Sequence, residues 1–125
     1  MNIPENLRYT KDHEWIALDG DVATIGITDH AQEELTDVVF VELPEVGRQV
    51  EAEDPVAVVE SVKAASDVYA PMAGEVVGAN DEVVADPSLV NTDPYGRGWL
   101  FKIKVADPSV VESMMDAAAY GEMIG

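Results

Sequence analysis

Lys63 stands in the segment Glu60-Ser61-Val62-Lys63-Ala64-Ala65-Ser66-Asp67, in a chain of 125 residues with seven basic side chains against twenty-five acidic ones. Apolar runs reach it from both sides, Pro55-Val56-Ala57-Val58-Val59 before it and Val68-Tyr69-Ala70-Pro71 after it. The pattern predicts a lysine at the bend between two strands, its amine held out at a fixed place. That arrangement suits covalent loading, although residue types alone fit an ordinary lysine at a hairpin tip equally well. A lysine ammonium, with a pKa near about 10.4, is a poor nucleophile. The segment lacks the apolar pocket or second cation that activates a Schiff-base lysine, and Glu60 and Asp67 favour the charged form. The expected chemistry is modification of Lys63 by another enzyme, not self-catalysis.

Other chemistry is sparse. His13 and His30 are potential ligands or acid–base groups, but Asp12-His13-Glu14 is contiguous, which is poor spacing for ligands on one strand face. No metal site is expected. The chain has no cysteine, so disulfides, thiolate zinc sites and cysteine nucleophiles are excluded. Gly96-Arg97-Gly98 reads as a loop without a phosphate role, because no helix start follows it. The net charge of −18 argues against nucleic acid, whose binding relies on Lys and Arg replacing counterions. The acidity fits a solvated surface, steering toward partners with basic rims, or a salty cytoplasm. The N-terminal segment lacks a basic n-region followed by an apolar one, and no run approaches the length of a membrane span. The expectation is a cytoplasmic protein with no membrane partner.

The elements that must position Lys63 are mostly short strands. Nearly half the residues are apolar (47%), enough for one domain with its own core. Glu14 to Leu18, a turn at Asp19-Gly20, and Val22 to Ile27 read as a hairpin. Thr28-Asp29 predicts a helix N-cap answered by Gln32 and Glu33, opening a short helix to about Thr36. Val38 to Leu43 reads as a largely buried strand stopped by Pro44-Glu45-Val46-Gly47. From Gly47 to Val84 the chain has a rough internal symmetry, Gly47-Arg48-Gln49-Val50 matching Gly74-Glu75-Val76-Val77. This suggests two similar β-units meeting at the Lys63 turn. That turn is expected to avoid positive φ, because Val62 is β-branched. Residues 86–98 read as a long loop. Trp99 to Val105 alternates, with Trp99, Phe101, Ile103 and Val105 on one side and Leu100, Lys102 and Lys104 on the other. Asp107-Pro108 predicts a last helix over about 107–120, with Val110, Val111, Met114, Met115 and Ala118 on one stripe and Gly121 as its stop.

Glu60-Ser61-Val62-Lys63-Ala64-Ala65-Ser66 resembles the lipoyl-attachment motif of H proteins of the glycine cleavage system. Tyr9-Thr10-Lys11-Asp12-His13-Glu14-Trp15 is similar to the family's opening signature. Further along, Gly26-Ile27-Thr28-Asp29-His30-Ala31-Gln32, Val41-Glu42-Leu43-Pro44-Glu45-Val46-Gly47 and Asn91-Thr92-Asp93-Pro94-Tyr95-Gly96-Arg97-Gly98-Trp99 resemble its later ones, in the family's order. The match runs from about Leu7 to Tyr120. One departure is Leu35-Thr36-Asp37, where the family usually has Gly before Asp; it alters a loop and touches no expected chemistry.

The resemblance implies a mainly β barrel-sandwich hybrid of the lipoyl/biotinyl kind, with a short internal helix and a C-terminal helix. It implies one lipoyl-carrier domain over 1–125, with its hairpin core at about 47–84. Such a protein is a carrier and no enzyme by itself. Lipoate is joined by an amide to Lys63, in the motif context of Glu60, Ser61, Val62 and Ala64, by a lipoate ligase or lipoyltransferase. The arm moves among the P protein (glycine decarboxylase), the T protein (aminomethyltransferase) and the L protein (dihydrolipoyl dehydrogenase), carrying the aminomethyl group derived from glycine. A cationic, hydrolysable cargo calls for an acidic, water-poor groove. Asp67 lies on the return strand after Lys63, the family places Glu14 near the loaded arm, and Asp12 is a further candidate. Biotinyl domains typically have Met on both sides of the lysine, and lipoyl domains of 2-oxo-acid dehydrogenases usually read Asp-Lys-Ala. An H-like relay that donates lipoate to other complexes, and an unmodified acidic interaction module, remain as alternatives.

Overall fold

A computed structural model describes residues 2–125. In chain order the elements are β1 (Arg8–Tyr9), β2 (Glu14–Asp19), β3 (Val22–Ile27), α1 (Asp29–Leu35), β4 (Val38–Glu42), β5 (Gln49–Val50), β6 (Pro55–Ser61), β7 (Ala65–Tyr69), β8 (Gly74–Ala79), α2 (Asp81–Ala85), α3 (Leu89–Thr92), β9 (Phe101–Val105), α4 (Ser109–Glu112) and α5 (Ala117–Ile124). The strands form two antiparallel sheets, one of six strands in the order β1-β2-β3-β9-β8-β5 and one of three in the order β4-β6-β7. The two glycine-led segments of the internal symmetry meet here, because Val50 pairs with Gly74 and Gln49 with Glu75. Ile16, Ile25, Val76, Phe101 and Ile103 from the larger sheet pack in one core with Val41, Val59 and Val68 from the smaller. A second cluster, Leu7, Tyr9, Trp15 and Tyr120, seats the C-terminal helix. The mainly β fold with a C-terminal helix agrees with the sequence reading; the sheets do not close.

Local chemistry explains most elements and several departures. Asp19 pairs with Val22, so the turn residues are Gly20 and Asp21, one position later than the sequence reading. Gly20 takes φ 65, the left-handed value that a tight hairpin demands at its first central residue and glycine tolerates best. Thr28 caps α1, its hydroxyl accepting from the Ala31 N–H at 3.2 Å. Gln32 does not reach back to the Thr28 amide; its Nε2 donates to Asp29 Oδ1 at 2.6 Å. Gly26 faces Trp15 across β2–β3, and a Cβ there would lie 2.6 Å from the indole nitrogen.

The strand over 38–43 is not largely buried. Val38 and Val41 point inward, whereas Val39 and Phe40 are exposed, because a bulge between Val38 and Phe40 breaks the alternation. The loop over 86–98 holds the helical turn α3, preceded by α2, whose Asn80 cap accepts from the Glu82 N–H at 3.2 Å. At the start of β9 the alternation fails: Leu100 is fully buried and Trp99 is half-buried, with Lys102 Nζ 5.0 Å from the Trp99 ring. The last helix is two helices. Tyr9 and Met115 exchange backbone hydrogen bonds of 2.9 and 3.2 Å, which pulls residue 115 into an extended bridge. Asp116 then caps α5 through the Ala119 N–H at 2.9 Å. Gly121 lies inside α5, and Tyr120 is its buried anchor where Ala118 is exposed.

Thr36 ends α1 at φ 63 and ψ −149, close to a region that is essentially glycine-only. The Asn91 amide clamps this junction, donating to the Thr36 carbonyl at 2.7 Å and accepting from the Val38 N–H at 2.9 Å. The departure from the family's Gly therefore places a β-branched residue where strain costs about 1–3 kcal/mol. Glycine's own entropy cost offsets part of that. Thr36→Gly is expected to raise stability by about 1 kcal/mol, read as a higher urea midpoint at unchanged m-value. An equal or lower midpoint contradicts this account.

Candidate functional site

The β6–β7 hairpin brings Lys63 to its tip. Glu60 pairs with Ala65, and the Ser61 N–H donates to the Ala64 carbonyl at 2.7 Å. Ser61 Oγ accepts from the N–H groups of Lys63 at 3.2 Å and Ala64 at 3.1 Å. Ser61 thus stiffens the turn from within, and neither Val62 nor Lys63 takes positive φ, as Val62 led one to expect. The Lys63 side chain is exposed. Among the described residues it joins no ion pair, so neither Glu60 nor Asp67 holds it. Glu60 lies on β6, paired with Phe40 and Ala65.

A groove of about 420 Å³ opens beside the turn, bordered by Lys63, Ala64, Ser66 and Asp67 on the hairpin side and by Asp12, His13 and Glu14 opposite. Its floor is apolar, from Ile27, Leu35, Val59 and Val68. The three acids proposed from the sequence therefore share one cavity with Lys63. Asp12 and Asp67 are exposed on its rim, and Glu14 is only 2% exposed at the base of the far wall. Thr10 Oγ1 donates to Glu14 Oε1 at 2.8 Å, and the Tyr69 N–H donates to Oε2 at 3.0 Å. Burial pushes the Glu14 carboxyl up to about 7; the bonds from Thr10 and Tyr69 oppose the rise and nearby Asp12 adds to it. Glu14 thus sits in the wall of a cavity whose floor is aliphatic and whose lining also carries Asp12, His13, Glu34, Lys63, Ser66 and Asp67.

The sequence reading did not find the network behind this wall. His13 Nδ1 lies 2.8 Å from the Tyr120 hydroxyl, which lies 2.7 Å from Thr28 Oγ1. The His13 and His30 ring centroids lie 4.7 Å apart with the planes tilted by 36°, and His30 Nε2 meets Glu34 at 3.0 Å. Burial, then the His30 charge, lowers the His13 pKa. The i, i+4 spacing of His30 and Glu34 on α1 was a usable signal; the contact with Tyr120 had none. No cluster of three or more metal-ligating side chains occurs among the described residues, and none of their helices is long and apolar enough to cross a membrane.

A small two-sheet domain that holds one lysine on a stiff hairpin beside an apolar, acid-tipped groove defines a class: protein modules that present a lysine for a covalent arm. The family model described as "Glycine cleavage H-protein" matches residues 7–125. A glycine cleavage system H protein from Phenylobacterium zucineum is 64% identical over 118 residues, covering 94% of this chain and 98% of its own. One from Methylacidiphilum infernorum is 53% identical over 124 residues, covering 99% and 97%. The crystal structure of a glycine cleavage system H protein from Mycobacterium marinum superposes with a TM-score of 0.90 at 42% identity, covering 98% of this chain and 99% of that one. The chain belongs to the glycine cleavage H-protein family, the lipoyl-carrying shuttle component of the glycine cleavage system, which bears lipoate covalently on a lysine.

Proposed function

We propose that Lys63 is the residue that takes lipoate through an amide at Nζ, and that the groove beside it shelters the arm and its cargo. The observation that carries this is the placement of an exposed lysine, with no ion pair among the described residues, at the mouth of a cavity with an aliphatic floor and a buried carboxyl in its wall. The residues fit the group: Ile27, Leu35, Val59 and Val68 match an aliphatic chain, and Glu14, with Asp67 and Asp12 at the rim, matches a cationic end. Lipoate, when attached, supplies a dithiolane that takes up an aminomethyl group and two electrons. The protein supplies position, exclusion of water and a counter-charge. Gross attraction between unit charges at 4 Å is about 4 kcal/mol at an effective dielectric of 20. An exposed pair nets only about 0–1 kcal/mol, a weak hold that suits a cargo a partner must take.

In this reading the chain catalyses nothing alone. It serves the P protein (glycine decarboxylase), the T protein (aminomethyltransferase) and the L protein (dihydrolipoyl dehydrogenase), after a lipoate ligase or lipoyltransferase has acylated it. The bacterial relatives support a cytoplasmic site of action. Reconstitution tests it. The lipoylated chain with P and T proteins is expected to support glycine-dependent release of carbon dioxide. A fully lipoylated chain giving none would sink the reading in favour of a relay that passes lipoate to other complexes.

A further inference from the structure

The outer face of the three-stranded sheet carries apolar side chains that the fold leaves uncovered: Val39 is 56% exposed, Phe40 47% and Val62 70%. Strand register brings them together. Phe40 pairs with Glu60, and Glu60 with Ala65, so these residues share one face. Val62 follows Glu60 by one strand repeat and so starts on the same side. Its N–H donates to the Asp37 carbonyl at 3.1 Å, which holds the Lys63 turn against the start of β4. The bulge between Val38 and Phe40 leaves Val39 exposed beside Phe40, where strict alternation would bury one of the two. The next row on this face is Glu42, Val58 and Asp67, which borders a separate concavity of about 400 Å³. The result is an apolar patch with Glu60 within it and Glu42 and Asp67 in the adjoining row, next to the turn that presents Lys63. Exposed aromatic and aliphatic clusters of this kind mark interaction surfaces.

We propose that this face is the surface by which the acylating enzyme, a lipoate ligase, recognises the unmodified chain; the inference rests on reading Lys63 as the attachment residue. An enzyme that acylates Nζ must bring an activated carboxyl within bonding distance of the turn, and so must cover the residues around it. A protein that works on the far end of a finished arm stands an arm's length away and need not touch Val62. The carboxylates of Glu42, Glu60 and Asp67, on a chain of net charge −18, specify the complement: an apolar hollow that also carries Lys and Arg. The step served is balanced. Lys63 Nζ gives up its ammonium proton to solvent and attacks the carbonyl carbon of a lipoyl adenylate. The C–N bond forms, the C–O bond to AMP breaks, AMP leaves with the electron pair, and the second proton passes to a base of the ligase or to water.

The test is the rate of mass gain on the full chain with purified lipoate ligase, lipoate and ATP. Phe40→Ser and Val62→Ser are each expected to lower kcat/KM at least tenfold, chiefly through KM, whereas Met123→Ser, an exposed apolar residue on α5, matches the parent. The parent's rate is expected to fall as salt rises, through screening of these carboxylates. Each variant, driven to full lipoylation by excess ligase and then reduced to the dihydrolipoyl form with a phosphine, is expected to be reoxidised by dihydrolipoyl dehydrogenase and NAD at the parent's rate. A parent that gains no mass overturns the attachment reading itself. A parent that is acylated alongside Phe40→Ser and Val62→Ser variants within twofold of it overturns only the docking surface. Equal slowing of reoxidation in the lipoylated variants also overturns it, by assigning the face to a different partner.

Discussion

The Lys63→Arg variant is expected to gain no lipoyl mass from ligase, lipoate and ATP, and to support no glycine-dependent carbon dioxide release with the P and T proteins. Arginine keeps the positive charge and the long stem, but its guanidinium stays protonated and is not an acylable amine. The change falls on an exposed side chain that makes no ion pair among the described residues, so stability should stay within about 0.5 kcal/mol of the parent. Loss of function with an unchanged melting curve would separate a missing attachment point from a damaged fold. The other lysines are poor substitutes. Lys11 lies 3.8 Å from Glu53, and Lys102 and Lys104 sit within β9, between neighbouring strands. Lys11 also stands in an exposed turn, but among the described lysines Lys63 alone lines the groove and joins no ion pair at a turn. A lipoyl mass gain that persists in Lys63→Arg would place the attachment elsewhere and remove the basis for the groove assignment.

Lys63 was legible because its signal is local: apolar runs on either side and a turn expected to avoid positive φ. The groove was legible only in part. Asp12-His13-Glu14 reads as a polar, surface-like run, and nothing within it says that Glu14 is buried. Its burial depends on Thr10 close by and on the Tyr69 backbone, 55 positions away. The same limit explains the broken C-terminal helix. The stripe from Val110 to Ala118 is a sound helical pattern, but Tyr9 takes the backbone of Met115 in a bridge that joins opposite ends of the chain. Thr36 shows the reverse case. Its departure from the family's glycine was visible in the sequence, but the reason it matters is a backbone angle set by the α1–β4 junction. Val39 and Phe40 looked like core because a bulge cannot be read from residue types. Where a local rule fails without an evident structural gain, function is a common cause, and those two residues are half of the argument for a docking face.

Glu14→Gln is expected to flatten the pH dependence of stability and to shorten the life of the loaded arm. Below about pH 4.5 the Glu14 carboxyl is protonated in folded and unfolded chains alike. Its folded pKa is raised from 4.5 to about 7 by burial. Between those values the folded chain keeps a proton that the unfolded chain has released, so stability falls as pH rises through that window and levels off above it. At 1.36 kcal/mol for each pKa unit the loss is about 3 kcal/mol. Glutamine keeps the hydrogen-bond geometry in kind, its oxygen able to accept from the Tyr69 N–H and its amide able to donate to Thr10 Oγ1, without a charge to desolvate. Urea denaturation should therefore show parent and variant closest near pH 4.5, with the variant more stable by about 3 kcal/mol near pH 7.5. A difference that does not change with pH would mean that Glu14 does not titrate in this window. The functional effect has the opposite sign. A cationic cargo beside Glu14 favours the carboxylate and recovers part of what its burial costs, so parent and cargo stabilise each other near neutral pH. In Glu14→Gln that coupling is absent, and the aminomethyl load should hydrolyse about tenfold faster at pH 7.5, equivalent to about 1.4 kcal/mol. The two measurements together distinguish a carboxyl that serves the cargo from one that merely fills the wall. Gained stability with unchanged cargo lifetime would leave Glu14 a buried acid with no part in holding the arm.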